Sequence, residues 1–185
     1  METDNMDDLS ATRLHTVYTL LEGYSSLSAS QLLEHLSPDF FHFVLPSRLG
    51  MPALDKDSFA LHAAGIFAIF DEFRMVPKAM YEDEKRSVAI IHARMEGTLK
   101  DRRRGKEWNN ECVMIVRLSR DGKQVLQIQE FVDSAKAVEM RETYAPEHFT
   151  TAKKRSRGWV YKAFLFACLA AGSFYVAKRV LQQHD

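Results

Sequence analysis

Cysteine is scarce in this chain: its 185 residues hold only Cys112 and Cys168, with no Cys-x-x-Cys spacing. A disulfide framework and a structural zinc site therefore have too little to build on. Cys112 falls in a strand-like run and Cys168 in an apolar stretch near the C-terminus, so both are expected to be reduced, in a domain facing a reducing compartment. There is also no Walker loop, no GxGxxG and no HExxH. Their absence removes the usual support for a bound nucleotide or a catalytic zinc. No metal and no cofactor is expected, and chemistry must come from acids, histidines and arginines around an apolar cavity. The N-terminus carries Asp4, Asp7 and Asp8 and no apolar run, unlike a secretory or transit signal. No internal repeat or low-complexity stretch is present.

Apolar residues make up 46% and charged residues 27%, enough for a real core and too apolar for a disordered chain. The length suits one domain with an appendage. The formal net charge is zero, but residues 150–185 hold seven Lys or Arg and one acid, which leaves −6 on residues 1–149. An acidic globular part argues against nucleic acid as a partner.

The basic end surrounds a long apolar run. Trp159–Ala177 (WVYKAFLFACLAAGSFYVA) is apolar on all faces rather than striped. As a helix it would be roughly 28 Å long, near the hydrocarbon thickness of a bilayer. Trp159, Tyr161 and Tyr175 lie near its ends, and Lys162 is close enough to one end to reach the interface. Lys153, Lys154, Arg155 and Arg157 precede the run, while Lys178 and Arg179 follow it. The heavier flank should stay cytosolic. The expectation is a single-pass tail anchor: domain 1–145 in the cytosol, a polar basic linker 146–158, a transmembrane helix 159–177 in contact with lipid, and a short basic tail 178–185. A short span with basic ends suits the endoplasmic reticulum or an organelle outer membrane.

Before the tail, helical spacing of Leu9, Leu14, Val17, Tyr18 and Leu21 predicts a helix over Asp7–Gly23, ended by the glycine. Ser28 should cap a shorter helix to His35. Asp39–Leu45 reads as a strand stopped by Pro46, and Ser47–Leu54 as a loop. Asp55 or Asp57 should cap a third helix to about Phe70, with Phe59, Ala63, Ile66, Phe67 and Phe70 as its stripe. Four strand-like runs follow: Arg74–Glu82, Ser87–Leu99, Glu107–Ser119 and Val125–Asp133. Charged, glycine-containing turns, KDRRRG and RDGK, join the later ones. Ser134 should cap a last helix to Thr143. Helices followed by an antiparallel meander predict an α+β domain.

Three stretches carry a family resemblance: SPDFFHFVLPSRLGMPALD at Ser37–Asp55, NEC at Asn110–Cys112 and QEFVDS at Gln129–Ser134. Over roughly residues 10–145 the chain resembles the nuclear transport factor 2-like superfamily, in its SnoaL-like branch. It is most similar there to small fungal isomerases of meroterpenoid biosynthesis. The resemblance implies a cone, with helices packed on a curved antiparallel sheet around a pocket, and leaves a homodimer open as a partner. The KDRRRGKEW hairpin and the membrane segment depart from the pattern of those isomerases.

The resemblance and the residues together nominate a site. Asp133 ends the last strand, either as a general base or as the cap of the following helix. Glu130 alternates with Ile128 and Val132, so it lines the cavity if that face points inward. Glu111 shares a strand face with Val113 and Ile115, and Cys112, Met114 and Val116 are apolar too, so this strand should be covered on both sides. A buried Glu111 would then need a partner or a catalytic role. His42 interrupts the run Phe40, Phe41, Phe43, as a core histidine or a site residue. Arg48, in the loop that follows, could bind a substrate oxygen or be solvated. His62 on the third helix belongs to the core or to a pocket rim. Arg94, Glu96 and Asp133 resemble the acid–arginine–acid set of epoxide hydrolases on this fold. The simpler reading puts Ala89, Ile91, Ala93 and Met95 in the core and those charges in solvent.

The functional expectation is a membrane-tethered isomerase or cyclase of secondary metabolism, acting by acid–base chemistry on an apolar polyketide- or terpenoid-type molecule. In it Glu111, Glu130 or Asp133 would be the base, and His42 or Arg48 the donor. The alternative is a non-catalytic module of the same fold that holds a lipid or a partner at a membrane.

Overall fold

The structure, a computed structural model, describes residues 2–101 and 107–144. The expected anchor 159–177, its linker and its tail lie outside the described residues, as does most of the KDRRRG turn. Among the described residues no helix is long and apolar enough to cross a membrane.

Helix α1 (Glu2–Ser25) buries Val17, Leu20 and Leu21 against the sheet. It does not end at Gly23. A Cβ there would lie 2.8 Å from Leu32 Cα, so the glycine serves the close approach of α2 (Ala29–Leu32) to α1. Tyr24 consequently falls inside the helix. Ser28 caps α2 as expected, accepting from Gln31 N–H, but α2 is a single turn. The chain turns extended at Leu36, so β1 (Leu36–Leu45) starts three residues before the expected Asp39.

Ser47–Leu49 forms one 3-10 turn, and the short β2 (Leu54–Asp55) pairs back on β1. Asp55 is the cap of α3 (Lys56–Phe67), its Oδ1 accepting from Ser58 N–H at 2.9 Å. That helix stops at Phe67. Phe70 opens β3 (Phe70–Asp83) instead of closing the helical stripe. Phe70 fits either element from sequence, because its spacing from Ile66 is helical and its ring is apolar. The pairing Phe70–Leu99 and the Lys100 N–H bond to Ile69 O decide for the strand.

β4 (Val88–Leu99), β5 (Glu107–Leu118) and β6 (Val125–Val132) follow, then α4 (Ser134–Thr143). The β5–β6 turn uses Gly122 at φ 74°, where L-residues strain, as the Asp-Gly pair implied. Its carbonyl accepts from Thr16 Oγ1 at 2.7 Å, tying the turn to α1.

The sheet order is β2-β1-β6-β5-β4-β3. β3 to β6 are the expected antiparallel meander, but β1 joins β6 in parallel, so the sheet is mixed. α3 and strands β3 to β5 lie between β1 and β6 in the chain and supply the long crossover that parallel neighbours need. α1 and α3 both pack on the sheet. On β4, Ala89, Ile91, Ala93 and Met95 are buried, and His92, Arg94 and Glu96 take the opposite face. The simpler reading of that strand holds.

Candidate active site

Two buried polar groups of the sheet, His42 and Glu130, meet at the β1–β6 junction. His42 is opposite Ile128 and Val44 opposite Glu130 in the parallel register, so His42 and Glu130 are diagonal neighbours on one face. Alternation with apolar residues turns both inward: Phe40 and Ile128 are fully buried, His42 is 2% exposed and Glu130 7%. His42 Nε2 lies 3.0 Å from Glu130 Oε2. With Glu130 as the acceptor, Nε2 is the donor of this bond. The other ring nitrogen, Nδ1, is buried with no hydrogen-bond partner.

Phe59 of α3 lies against this pair, its ring 4.8 Å from the His42 ring and 5.2 Å from Phe40. Tyr24 also meets the Phe59 ring, 6.5 Å away and edge-on. The Tyr24 hydroxyl is also buried without a partner. Burial pushes its ionisation well above the ordinary phenol range, and the charge of Glu130 and then Cys112 add to that. The phenol therefore stays protonated and able to donate.

His62, one turn beyond Phe59, is half-buried near the pair. Burial lowers its pKa, and His42 lowers it further, while Glu130 acts in the opposite direction. Cys112, opposite Val132 on β5, is buried. Burial, then Glu130 and Glu111, push its thiol up, so it is no thiolate nucleophile.

The other nominated residues are not in this cluster. Glu111 is on the outer face of β5, with its side chain 65% exposed and paired to His92 Nε2 at 2.5 Å. The expectation that its strand is covered on both sides is corrected. Val113 on the same face is 37% exposed. Asp133 takes the cap position of α4, its Oδ1 accepting from Ala135 N–H at 2.9 Å and Lys136 N–H at 3.5 Å. Arg48 is exposed in the 3-10 turn after β1. Arg94 pairs with Glu96 on the outer face, and Asp133 is in neither bond, so no acid–arginine–acid set forms.

Tyr24 was missed from sequence. Gly23 looks in sequence like a helix stop, which puts its neighbour outside any element. The available signal was the spacing itself, since Tyr24 is three residues from Leu21 and seven from Val17.

Two clefts open elsewhere. One of about 330 Å³ includes Phe73, Arg94, Glu96 and Trp108, and one of about 670 Å³ lies between Leu9, Arg13, Glu82 and Lys85. Neither is lined by His42 or Glu130. Among the described residues no cluster of three or more His, Cys, Asp or Glu could hold a metal ion.

The structure of BvnE pinacolase from Penicillium brevicompactum superposes with a TM-score of 0.67 at 15% identity, over 72% of this chain and 94% of that one. AusH from Aspergillus nidulans does so at 0.60 and 22% identity, over 76% and 97%. The domain has the nuclear transport factor 2-like fold. By sequence, the chain is 24% identical over 120 residues to Monooxygenase AgnL5 of Paecilomyces divaricatus, which is 65% of this chain and 72% of that protein. No protein-family model matches the chain.

Proposed function

We propose that this protein is a membrane-tethered, acid–base catalyst that rearranges an apolar polyketide- or terpenoid-type molecule without a cofactor. The observation that carries this reading is the buried His42–Glu130 pair with His42 Nδ1 unpartnered among aromatic walls. Glu130 holds the ring with Nε2 protonated, which leaves the lone pair of Nδ1 as the base. As Nδ1 takes a proton, the adjacent carboxylate stabilises the imidazolium that forms, the role a carboxylate plays behind a catalytic histidine. Return of that proton to another substrate atom completes an isomerisation or ring closure with no net change in atoms or electrons. BvnE, on the same fold, is named a pinacolase. The run 159–177 with its basic flanks supports an anchor that keeps the domain cytosolic and close to lipid.

The test is to incubate the full-length protein in detergent with the organism's extracted small molecules and follow products by mass spectrometry. A product of unchanged mass, formed by wild type and not by Glu130→Gln, supports the proposal. The relative named a monooxygenase supplies a second reading. A carbanion formed at the same base would be trapped by dioxygen, a CH2 becoming C=O with release of water. A product that has exchanged two hydrogens for one oxygen, with dioxygen consumed, would select it. The density of Phe and Met in the interior favours a third, non-catalytic outcome. Retention of one extract component, unaltered, by wild type and Glu130→Gln alike would establish that.

A further inference from the structure

Glu130 has neighbours on two strands, and the register names them. On β1 it lies opposite Val44, with His42 on the diagonal. On β5 it lies opposite Met114, with Cys112 and Val116 on the diagonals. Diagonal neighbours on one sheet face stay within reach when one side chain is long, as a glutamate is. Val44, Met114 and Val116 are apolar, which leaves His42 and Cys112 as the polar side chains among these strand neighbours. Cys112 is 2% exposed and Glu130 7%, so neither turns to water. Tyr24 and His62 lie near this carboxyl from the helices, but the Tyr24 hydroxyl has no hydrogen-bond partner.

The Glu130 oxygen Oε2 is taken by His42, which leaves Oε1 for a second donor. The Cys112 thiol keeps its proton. Burial, then the charges of Glu130 and Glu111, and also a hydrogen bond to Glu130 hold it on sulfur, with the Ala93 backbone acting the other way. A protonated thiol beside a carboxyl group has one thing to offer, a weak hydrogen bond. We infer that Cys112 is a positioning residue of the site: its S–H donates to Glu130 from β5 as His42 Nε2–H does from β1. A chain of hydrogen bonds then crosses three adjacent strands, β5, β6 and β1. Held from both sides, the carboxyl group keeps its face toward the imidazole. This role, though not the hydrogen bond itself, rests on reading His42 and Glu130 as the acid–base pair.

The infrared S–H stretch reads the bond directly, because it absorbs apart from other protein groups and falls in frequency when the thiol donates. The chain has two cysteines, so the full-length protein with Cys168→Ala, in detergent, shows Cys112 alone. Its band should lie below that of ethanethiol in hexane and should rise in Glu130→Leu. If thermal melts show that Glu130→Leu does not fold, Glu130→Gln serves, and the band should rise part of the way. A band at the free-thiol position, or one indifferent to the change at Glu130, would overturn the inference.

Cys112→Ala and Cys112→Ser are alike in size and differ in the donor. With the extracted small molecules as substrate, Cys112→Ala should form the product of unchanged mass about 3- to 10-fold more slowly, the worth of one hydrogen bond. Cys112→Ser should recover most of that loss. Equal rates in the two variants would make Cys112 a packing residue and overturn the positioning role. If wild type forms no such product while the S–H band still follows Glu130, the acid–base reading falls and takes the positioning role with it, and the hydrogen bond alone stands.

Discussion

His42 and Glu130 meet across the parallel β1–β6 pairing, 88 positions apart in sequence and 3.0 Å apart at Nε2 and Oε2. Of the three nominated carboxylates, Glu130 is the one that contacts His42, while Glu111 pairs with His92 and Asp133 caps α4. In the proposed mechanism His42 is the base and Glu130 holds it, so Glu130→Gln should lower turnover by about 100-fold, the lower end of what a general base contributes. His42→Asn should cost about as much, and the double variant little more, because the two act as a unit. Additive losses in single-turnover rates would refute the dyad.

Glu111 and Asp133 should behave differently from Glu130. Glu111→Gln alters an exposed outer-face pair and should change stability by no more than about 0.5 kcal/mol, with activity intact. Asp133→Ala removes the α4 cap and should cost about 1 kcal/mol in denaturant melts. Its activity, measured where the variant is folded, should match wild type.

His62 makes stability depend on pH. Its folded pKa lies below the ordinary 6.5, so between those two values the unfolded chain binds more protons than the folded one. Stability from this group is present above 6.5 and is lost as pH falls from there toward the folded pKa. His62→Phe should flatten the melting-temperature profile over that window. An unchanged slope would place the acid sensitivity elsewhere.

Tyr24 acts at the other end of the scale. Its folded pKa is raised above 10.0, so above that value the folded state holds a proton the unfolded state has lost. That contribution disappears as pH rises toward the folded pKa. Wild type should therefore lose stability on the alkaline side faster than Tyr24→Phe, which melts at matched pH will show.

Phe59 is 2% exposed and in ring contact with Tyr24, Phe40 and His42. Phe59→Ala should cost about 3–5 kcal/mol through lost burial and the cavity left behind. Since that cavity would adjoin the dyad, the variant should also admit bulkier ring ligands than wild type, seen as a changed ranking of ligand affinities.

Local signals carried most elements. Alternating apolar residues predicted β4 to β6 within one residue of their ends, because period-two burial is imposed by the strand itself. Asp55, Ser28 and the Asp-Gly turn were legible because caps and turns are made by neighbours in sequence. Gly23 and Phe70 were misread for the opposite reason. A glycine needed for a helix crossing and a glycine that ends a helix look alike until Leu32 is beside it.

The site divides the same way. Sequence determined that His42 and Glu130 each interrupt an apolar alternation, and that the C-terminal run is apolar on every side. It could not determine that Glu130 points inward and Glu111 outward, since both alternate with apolar residues. Tertiary structure decided this. α1 and α3 pack on one face of the sheet, which buries Glu130 and leaves Glu111 in solvent beside His92. The parallel β1–β6 register then brings His42 to Glu130, a pairing distance in the chain conceals because it exists only once the sheet closes.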